Sequence, residues 1–334
     1  MPWWLIRRLA FAVLLVVIVS SSALVLARLA PGDVTSEFYG SGASTSALAR
    51  ERALAGLDRP LLAQYGEWLL AALRFDLGTS LLYRRPVGEL VRERAFNTAL
   101  LAVTALAIAT LAGIPLGVMA GSRSRGFLRA GIRLTSVLLL SLPSLLTSLL
   151  LVVVAARTQL LPIGGMSSPT PLDGHTWIAS LSDVAWHLVV PAVALALPVM
   201  ALLERTQARA MAEVLRQPFV LAAVARGAPP ARILYRNALR VAVRPIVAIY
   251  GLIVGSLLSG SFIVEVVTAW PGLGRLMYDA LRARDIYLVA GGAAAGSLFI
   301  AAGTLFADLM LVMLDPRAAL DRSAQAPGAG RAAL

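Results

Sequence analysis

Ser180, Asp183 and His187 stand at i, i+3 and i+7, so on a helix they would share one face and carry the three residue types of a hydrolytic triad. No oxyanion hole or nucleophile elbow accompanies them, and the segment reads instead as a capped helix start entering a membrane. His175 and His187 are twelve residues apart, which is not the spacing of a metal site. Cysteine is absent, and all 30 basic residues are arginine. The chain therefore has no thiolate nucleophile and no Cys-ligated metal. A Schiff base, a lysine base and a G-x-x-x-x-G-K-[ST] phosphate loop are also excluded. We expect no catalytic residue, no metal site and no cofactor on this chain.

Other polar groups lie within apolar text, where they are costly and so informative. Glu265 and Asp308 are the two carboxylates placed near the ends of apolar runs. Hydroxyls recur at Thr98, Thr104, Ser136, Ser141, Ser144, Thr147, Ser148, Ser256, Ser259 and Ser261. Single hydroxyls of this kind commonly bond between helices. Ser141, Ser144, Ser256, Ser259 and Glu265 are the candidates to line a polar path or gate.

The elements that must position these groups follow from composition. The 334 residues are 58% hydrophobic and 14% charged, with net charge +12 and a mean hydropathy of +0.79. That balance belongs to a membrane protein. A helix needs about 20 residues to cross a hydrocarbon core about 30 Å thick. Six stretches qualify, at about 9–29, 97–121, 134–156, 185–203, 243–264 and 288–314. The fourth, AWHLVVPAVALALPVMALL, is the shortest and holds two prolines. The first, after Arg7 and Arg8, resembles a cleavable signal, but its apolar run continues past Ser20–Ala23 to Leu29, long enough to remain as an anchor. The expected fold is all-α and polytopic, with six transmembrane helices.

Arginine counts set the orientation. With the N-terminus inside, the cytoplasmic loops and tails hold seventeen arginines and the short outer loops four. Both termini are thus expected in the cytoplasm. The chain divides into an N-terminal span (1–29), an outer segment (30–95), a main membrane domain (96–315) and a cytoplasmic tail (316–334). The outer segment reads as a Gly/Ser-rich turn followed by two short amphipathic helices around Asp58-Arg59-Pro60. A second outer loop, about 157–184, is rich in Pro, Gly and Ser. Glycines at four-residue spacing, Gly113/Gly117/Gly121, Gly251/Gly255 and Gly292/Gly296, suit close helix packing. Pro115, Pro143, Pro191 and Pro198 permit kinks.

Between the fourth and fifth spans lies a basic loop, 205–242, containing FVLAAVARGAPPARILYRNALR. Gly227 suits a helix C-cap, and Pro229-Pro230 suits the opening of a second helix, about 230–239. A basic helix–turn–helix can bind DNA or dock in a groove of a partner. With spans entering and leaving within roughly 40 residues, no separate core can form to present a recognition helix to DNA, so no nucleic-acid partner is expected.

At these residues the chain resembles the permease subunits of ATP-binding-cassette importers of the dipeptide/oligopeptide/nickel family. The resemblance rests on Ala222, Ala223 and Gly227, a variant of the "EAA" motif, followed by Arg236-Asn237-Ala238-Leu239-Arg240. It extends through LARLAPGD, GLDRPLLAQYGEWL, FDLGTSL, GIPLGV, LPSLL, AWPGLGRLMYDALRARD and LDPR, in order along the chain. Leu221 stands where the motif has its acidic residue, and Arg240 where it closes on proline.

The resemblance implies the type I importer permease fold in a bacterial cytoplasmic membrane. Its implied partners are a homologous second permease, two ATPase subunits that bind ATP and Mg, and an extracytoplasmic solute-binding protein. Di- or oligopeptides are the implied cargo, with nickel chelates or another small solute as alternatives. A non-transporting receptor or scaffold is the alternative of another class. In the coupling loop Ile233, Leu234 and Leu239 would supply apolar contact to an ATPase, and Arg232, Arg236 and Arg240 its orientation.

Overall fold

The computed structural model describes residues 2–29, 60–122, 126–168 and 177–314. The Gly/Ser-rich turn, the first expected outer helix, His175 and the expected cytoplasmic tail lie outside the described residues. So does the rest of the 30–59 stretch between the first two spans.

The regular elements of the described chain are all helices, apart from one isolated bridge between Thr79 and Pro86. In order, α1 is Pro2–Leu29, α2 Leu61–Ala72, α3 Val87–Ser122, α4 Phe127–Ser141, α5 Ser144–Thr158 and α6 Trp177–Val214. They are followed by α7 Pro218–Ala225, α8 Arg232–Ala238, α9 Leu239–Ala242, α10 Arg244–Val267, α11 Leu273–Arg282 and α12 Ile286–Leu314. Among these, α1, α3, α6, α10 and α12 are long and apolar enough to cross a membrane, and α4 with α5 makes a sixth span if the pair is counted as one. The architecture is that of an all-α polytopic membrane protein.

Two spans differ from expectation. The third is not one helix over 134–156: it breaks between α4 and α5 with a bend of 105°. Pro143 is the reason. Its ring disfavours helical backbone at the preceding residue, and Leu142 is extended, at φ −90° and ψ 121°. The Pro143 carbonyl then accepts the first amides of α5, from Leu146 at 2.9 Å and Thr147 at 3.1 Å. The fourth span, expected to be the shortest, is instead the longest helix at 38 residues. Pro191 and Pro198 do not end it, and the polar text after Leu203 continues in helix to Val214.

Two compact units divide the chain. The first comprises Met1–Ala102, Ser148–Pro191 and Leu258–Ala301. Its core joins Val87, Leu90 and Val91 of α3 to Leu273, Leu276 and Ala280 of α11 and to Leu288 and Val289 of α12. The spacing of the three α11 residues, i, i+3 and i+7, gives that short helix one buried stripe. A smaller cluster joins Leu24 of α1, Trp68 of α2 and Ala290 of α12. There Ser21 and Tyr65 share a hydrogen bond of 2.9 Å, and Gln64 donates to the Tyr287 hydroxyl at 3.2 Å.

The second unit comprises Val103–Thr147, Ala192–Leu257 and Ala302–Leu334. In it the glycine stripe of α3 lies directly against α6. A Cβ on Gly113 would fall 2.7 Å from the Met200 carbonyl oxygen, one on Gly117 2.6 Å from Gln207 Cβ, and one on Gly121 2.8 Å from Met211 Cβ. The other small-residue pairs are looser: nothing lies within 4 Å of a Cβ on Gly255 or Gly296.

Candidate functional site

The basic loop folds as a compact hairpin within the second unit. α6 ends at Val214 and the chain turns through Leu215–Gln217, with Gln217 extended and Pro218 in the first turn of α7. Proline at this place lacks only an N–H that the helix start could not use. α7 closes in a Schellman motif: Ala228 N donates to Ala223 O at 3.1 Å and Gly227 N to Val224 O at 2.9 Å. Gly227 adopts φ +74°, the left-handed conformation that motif requires. Pro229 O then accepts from Arg232 N and Ile233 N, at 2.9 and 3.1 Å, opening the next arm. That arm is wider than an α-helix over Arg232–Ala238, where it has π geometry, before tightening into α9.

The hairpin has an inner and an outer face. Inward, Val220, Ala238 and Ala242 are buried with Val118 of α3 and with Ala210, Met211 and Val214 of α6. Ile233, Leu234 and Leu239 pack on the same cluster and are only partly exposed. Ala223 is also buried, whereas Ala222 is exposed and Asn237 half-buried. Outward, Phe219, Leu221, Val224 and Tyr235 are exposed, Leu221 to 57% and Tyr235 to 62%. Arg226, Arg232, Arg236 and Arg240 are exposed beside them. No ion pair joins these four arginines to another described residue. Large apolar side chains interleaved with unpaired guanidinium groups have the composition of a docking patch's centre. Of the apolar residues expected to serve such contact, Ile233, Leu234 and Leu239 help hold the hairpin to its own unit.

Glu265 is in the first unit and fully buried. Its Oε2 accepts from Gly274 N at 2.6 Å and Arg275 N at 3.2 Å, the second and third amides of α11. Thr98 Oγ1 donates to Glu265 Oε1 at 2.7 Å and accepts from Leu273 N, the first α11 amide, at 2.8 Å. A helix start leaves these amides without partners of its own and carries partial positive charge. One carboxylate and one hydroxyl satisfy all three. A Cβ on Gly272 would collide with the carboxylate, which explains a glycine at the N-cap. Alongside, Trp270 Nε1 donates to Asn97 O at 3.1 Å and Asn97 Nδ2 to Pro271 O at 2.8 Å.

Asp285 does the same for α12. Its Oδ1 accepts from Leu288 N at 3.1 Å, while Oδ2 accepts from Ser80 Oγ at 2.7 Å and Leu82 N at 3.0 Å. Tyr83 donates to Asp279 at 3.4 Å; burial, and then the Asp279 charge, push its phenol above the ordinary range. Asp285 was legible as an acid directly before an apolar run. Asn97, Trp270 and the capping role of Thr98 left no such signal, because their partners are more than 160 residues away in sequence.

The hydroxyl candidates are dispersed. Ser141 and Ser256 are exposed and donate to carbonyls of their own helices, Val137 and Ile253, both at 2.8 Å. Ser144 is half-buried, and Ser259 is in α10 with its side chain outside the described ones. Ser141, Ser144 and Ser256 belong to the second unit and Glu265 to the first. Asp308 is half-buried in α12.

Ser180, Asp183 and His187 form no triad. Ser180 is exposed, and the Asp183 carboxylate accepts from Ser168 N and Oγ, both at 2.8 Å. His187 Nδ1 faces Asp183 at 2.9 Å from its carbonyl oxygen and 3.2 Å from its carboxylate. Among the described residues no group of three His, Asp or Glu side chains is placed to hold a metal ion.

Comparison with known proteins covers nearly the whole chain. The family model "Binding-protein-dependent transport system inner membrane component" matches residues 113–320, and its N-terminal companion matches residues 1–81. The oligopeptide transport system permease protein AppB of Bacillus subtilis is 30% identical over 95% of this chain and 99% of its own length. A putative peptide transport system permease protein of Brucella abortus is 33% identical over 95% and 99%. The dipeptide transport system permease protein DppB of Escherichia coli is 31% identical over 94% and 98%.

Proposed function

Because the chain belongs to the family of inner membrane components of binding-protein-dependent transport systems, we propose that it forms half of a pore for importing di- or oligopeptides. Several relatives named for peptide transport align with 94–96% of it, and this carries the substrate reading. The other half of the pore is a homologous second permease. An extracytoplasmic binding protein delivers the peptide. Two ATPase subunits bind ATP and Mg and supply the energy. The lysine-free sequence supports that division, since no Walker A loop is available on this chain. The home of the assembly is a bacterial cytoplasmic membrane, with both termini and the hairpin on the cytoplasmic side.

The hairpin is the coupling element. Its outer face, with Tyr235 and Leu221 among Arg232, Arg236 and Arg240, docks in an ATPase groove. The inner-face residues Ala223, Ile233, Leu234 and Leu239 transmit the push to Met211 and Val214 of α6 and to Val118 of α3. Gly227 holds the angle between the arms; Ala222 and Asn237 border the contact. Ser141, Ser144, Ser256 and Ser259 remain candidates for the polar path, and Glu265 acts on the gate by fixing α11.

The test is reconstitution of this chain with the permease, ATPase and binding-protein subunits encoded beside it in proteoliposomes. ATP-dependent uptake of a labelled dipeptide or oligopeptide is expected, together with cross-linking of a cysteine at position 235 to an ATPase. Uptake of a nickel chelate without peptide would overturn the substrate. Failure to capture any ATPase would overturn the coupling role and favour a receptor or scaffold.

A further inference from the structure

Glu204 and Gln207 are buried in α6, with 2% and 0% of their surface exposed. Among the described residues Glu204 Oε2 has no hydrogen-bond partner, and neither has either atom of the Gln207 amide. Folded proteins very rarely leave buried polar atoms dry, because the lost hydration is not replaced. What faces these residues explains the deficit. They lie beside Gly117 of α3, where a Cβ would fall 2.6 Å from Gln207 Cβ and 2.7 Å from the Glu204 carbonyl oxygen. Glycine offers no side chain, and the α3 backbone there is engaged in its own helix.

We propose that Glu204 and Gln207 are positioning residues of the transport cycle, whose missing hydrogen bonds form only in a second seating of α6 on α3. This rests on the transport reading given above. Two observations support a second seat. The α3 glycines recur every four residues, so a shift of about 6 Å, close to one turn, meets the same smooth backbone again. A shift that carries the pair from Gly117 to Gly121 brings it beside Ser122, the last residue of α3, whose hydroxyl is exposed. Water and that hydroxyl are then the partners.

The same face of α6 also reaches the hairpin. Glu204, Gln207 and Met211 stand at i, i+3 and i+7. Met211 is buried in the cluster that holds Val220, Ala238 and Ala242 of the hairpin. A displacement of the hairpin therefore acts on α6 one turn beyond Gln207. The unmet hydrogen bonds weaken the seat described here and bring the two seats closer in free energy, so that a push of modest size exchanges them.

The experiment uses the complete assembled transporter in lipid nanodiscs and proteoliposomes, with Gln207→Leu and, as a second variant, Glu204→Leu. An apolar side chain of similar size removes the unmet groups from the seat seen here and the new hydrogen bonds from the other. The expected result is a melting temperature raised by about 3 °C together with uptake reduced at least tenfold. A lowered or unchanged melting temperature, or failure of both variants to assemble, overturns the proposal, because the polar atoms then have partners in this seat, buried water included. A raised melting temperature with wild-type uptake overturns it too. Melting is read without substrate, so a wild-type assembly that takes up no peptide refutes the substrate reading and leaves this arm intact.

Discussion

Two buried glutamates in membrane-spanning helices have opposite surroundings. Glu265 in the first unit accepts three hydrogen bonds and caps α11. Among the described residues Glu204 in the second unit keeps one oxygen without a partner, and the side-chain amide of its neighbour Gln207 has none. The surrounding elements differ in the same way. Around Glu265 the chain closes its own polar accounts through Thr98, Asn97, Trp270 and Asp285. Around the hairpin it leaves four arginines and four large apolar side chains outward. The cap at Glu265 is complete in a single chain; the hairpin is built to meet something else or to change.

The largest expected effect tests the completeness of the first region. Glu265→Leu strips the Gly274 and Arg275 amides and the Thr98 hydroxyl of their acceptor, deep in the protein. Each buried neutral donor left without its acceptor costs about 1–3 kcal/mol, and three are left here. The expected outcome is loss of folded chain from membranes, or a steep fall in melting temperature in detergent. Glu265→Gln keeps the shape and one acceptor oxygen and falls between. If Glu265→Leu melts like the parent while uptake collapses, Glu265 is a transport residue before it is a structural one, and the contrast with Glu204 is wrong.

Next comes the glycine stripe. Gly117→Val places branches where even a Cβ meets Gln207 and the Glu204 carbonyl, so overpacking of about 1–3 kcal/mol is expected. Gly255→Ala, on α10 with open space around it, is the control and should move melting by less than about 0.5 kcal/mol. Both glycines stood in similar small-residue patterns in the sequence. Spacing showed where close approach was possible, and only packing shows which stripe has a helix seated on it.

The same limit governed the rest of the reading. Six apolar stretches, the hairpin and its Gly227 turn were legible because helix length, apolar runs and glycine at a C-cap are local properties. The break at Leu142–Pro143 was half legible: proline permits a kink, but whether neighbours restore the helix depends on contacts far away in sequence, and α6 runs through two prolines where α4 stops before one. The α11 cap was not legible at all. It depends on Thr98 and Glu265 meeting across a sequence separation of 167. For Ile233, Leu234 and Leu239 the pattern gave an apolar helix face, and the fold decided that this face turns inward.

Gly227→Ala is a smaller perturbation. A Cβ there meets nothing within 4 Å, so its cost comes from the left-handed backbone at φ +74°, about 1 kcal/mol. Insertion and assembly should survive. Uptake should fall several-fold if the angle between the hairpin arms transmits the stroke, and a larger side chain such as Val should abolish it. Wild-type uptake in both variants would remove the hairpin from the coupling path.

The smallest effect on stability should accompany one of the largest on transport. Tyr235 is 62% exposed and outside the buried cluster, so Tyr235→Ala should change melting of the isolated chain by less than about 0.5 kcal/mol. An aromatic side chain at the centre of an interface can account for about 2 kcal/mol or more of binding, so ATPase affinity should drop roughly thirtyfold and uptake with it. Leu234→Ala gives the converse. That side chain packs on the hairpin's own core, and truncation should lower melting while leaving an ATPase that still binds the surviving folded fraction. Measuring melting and ATPase capture for both variants separates the two faces of one short element. If Tyr235→Ala melts early and Leu234→Ala merely binds weakly, the faces have been assigned the wrong way round, and the region taken as open is the closed one.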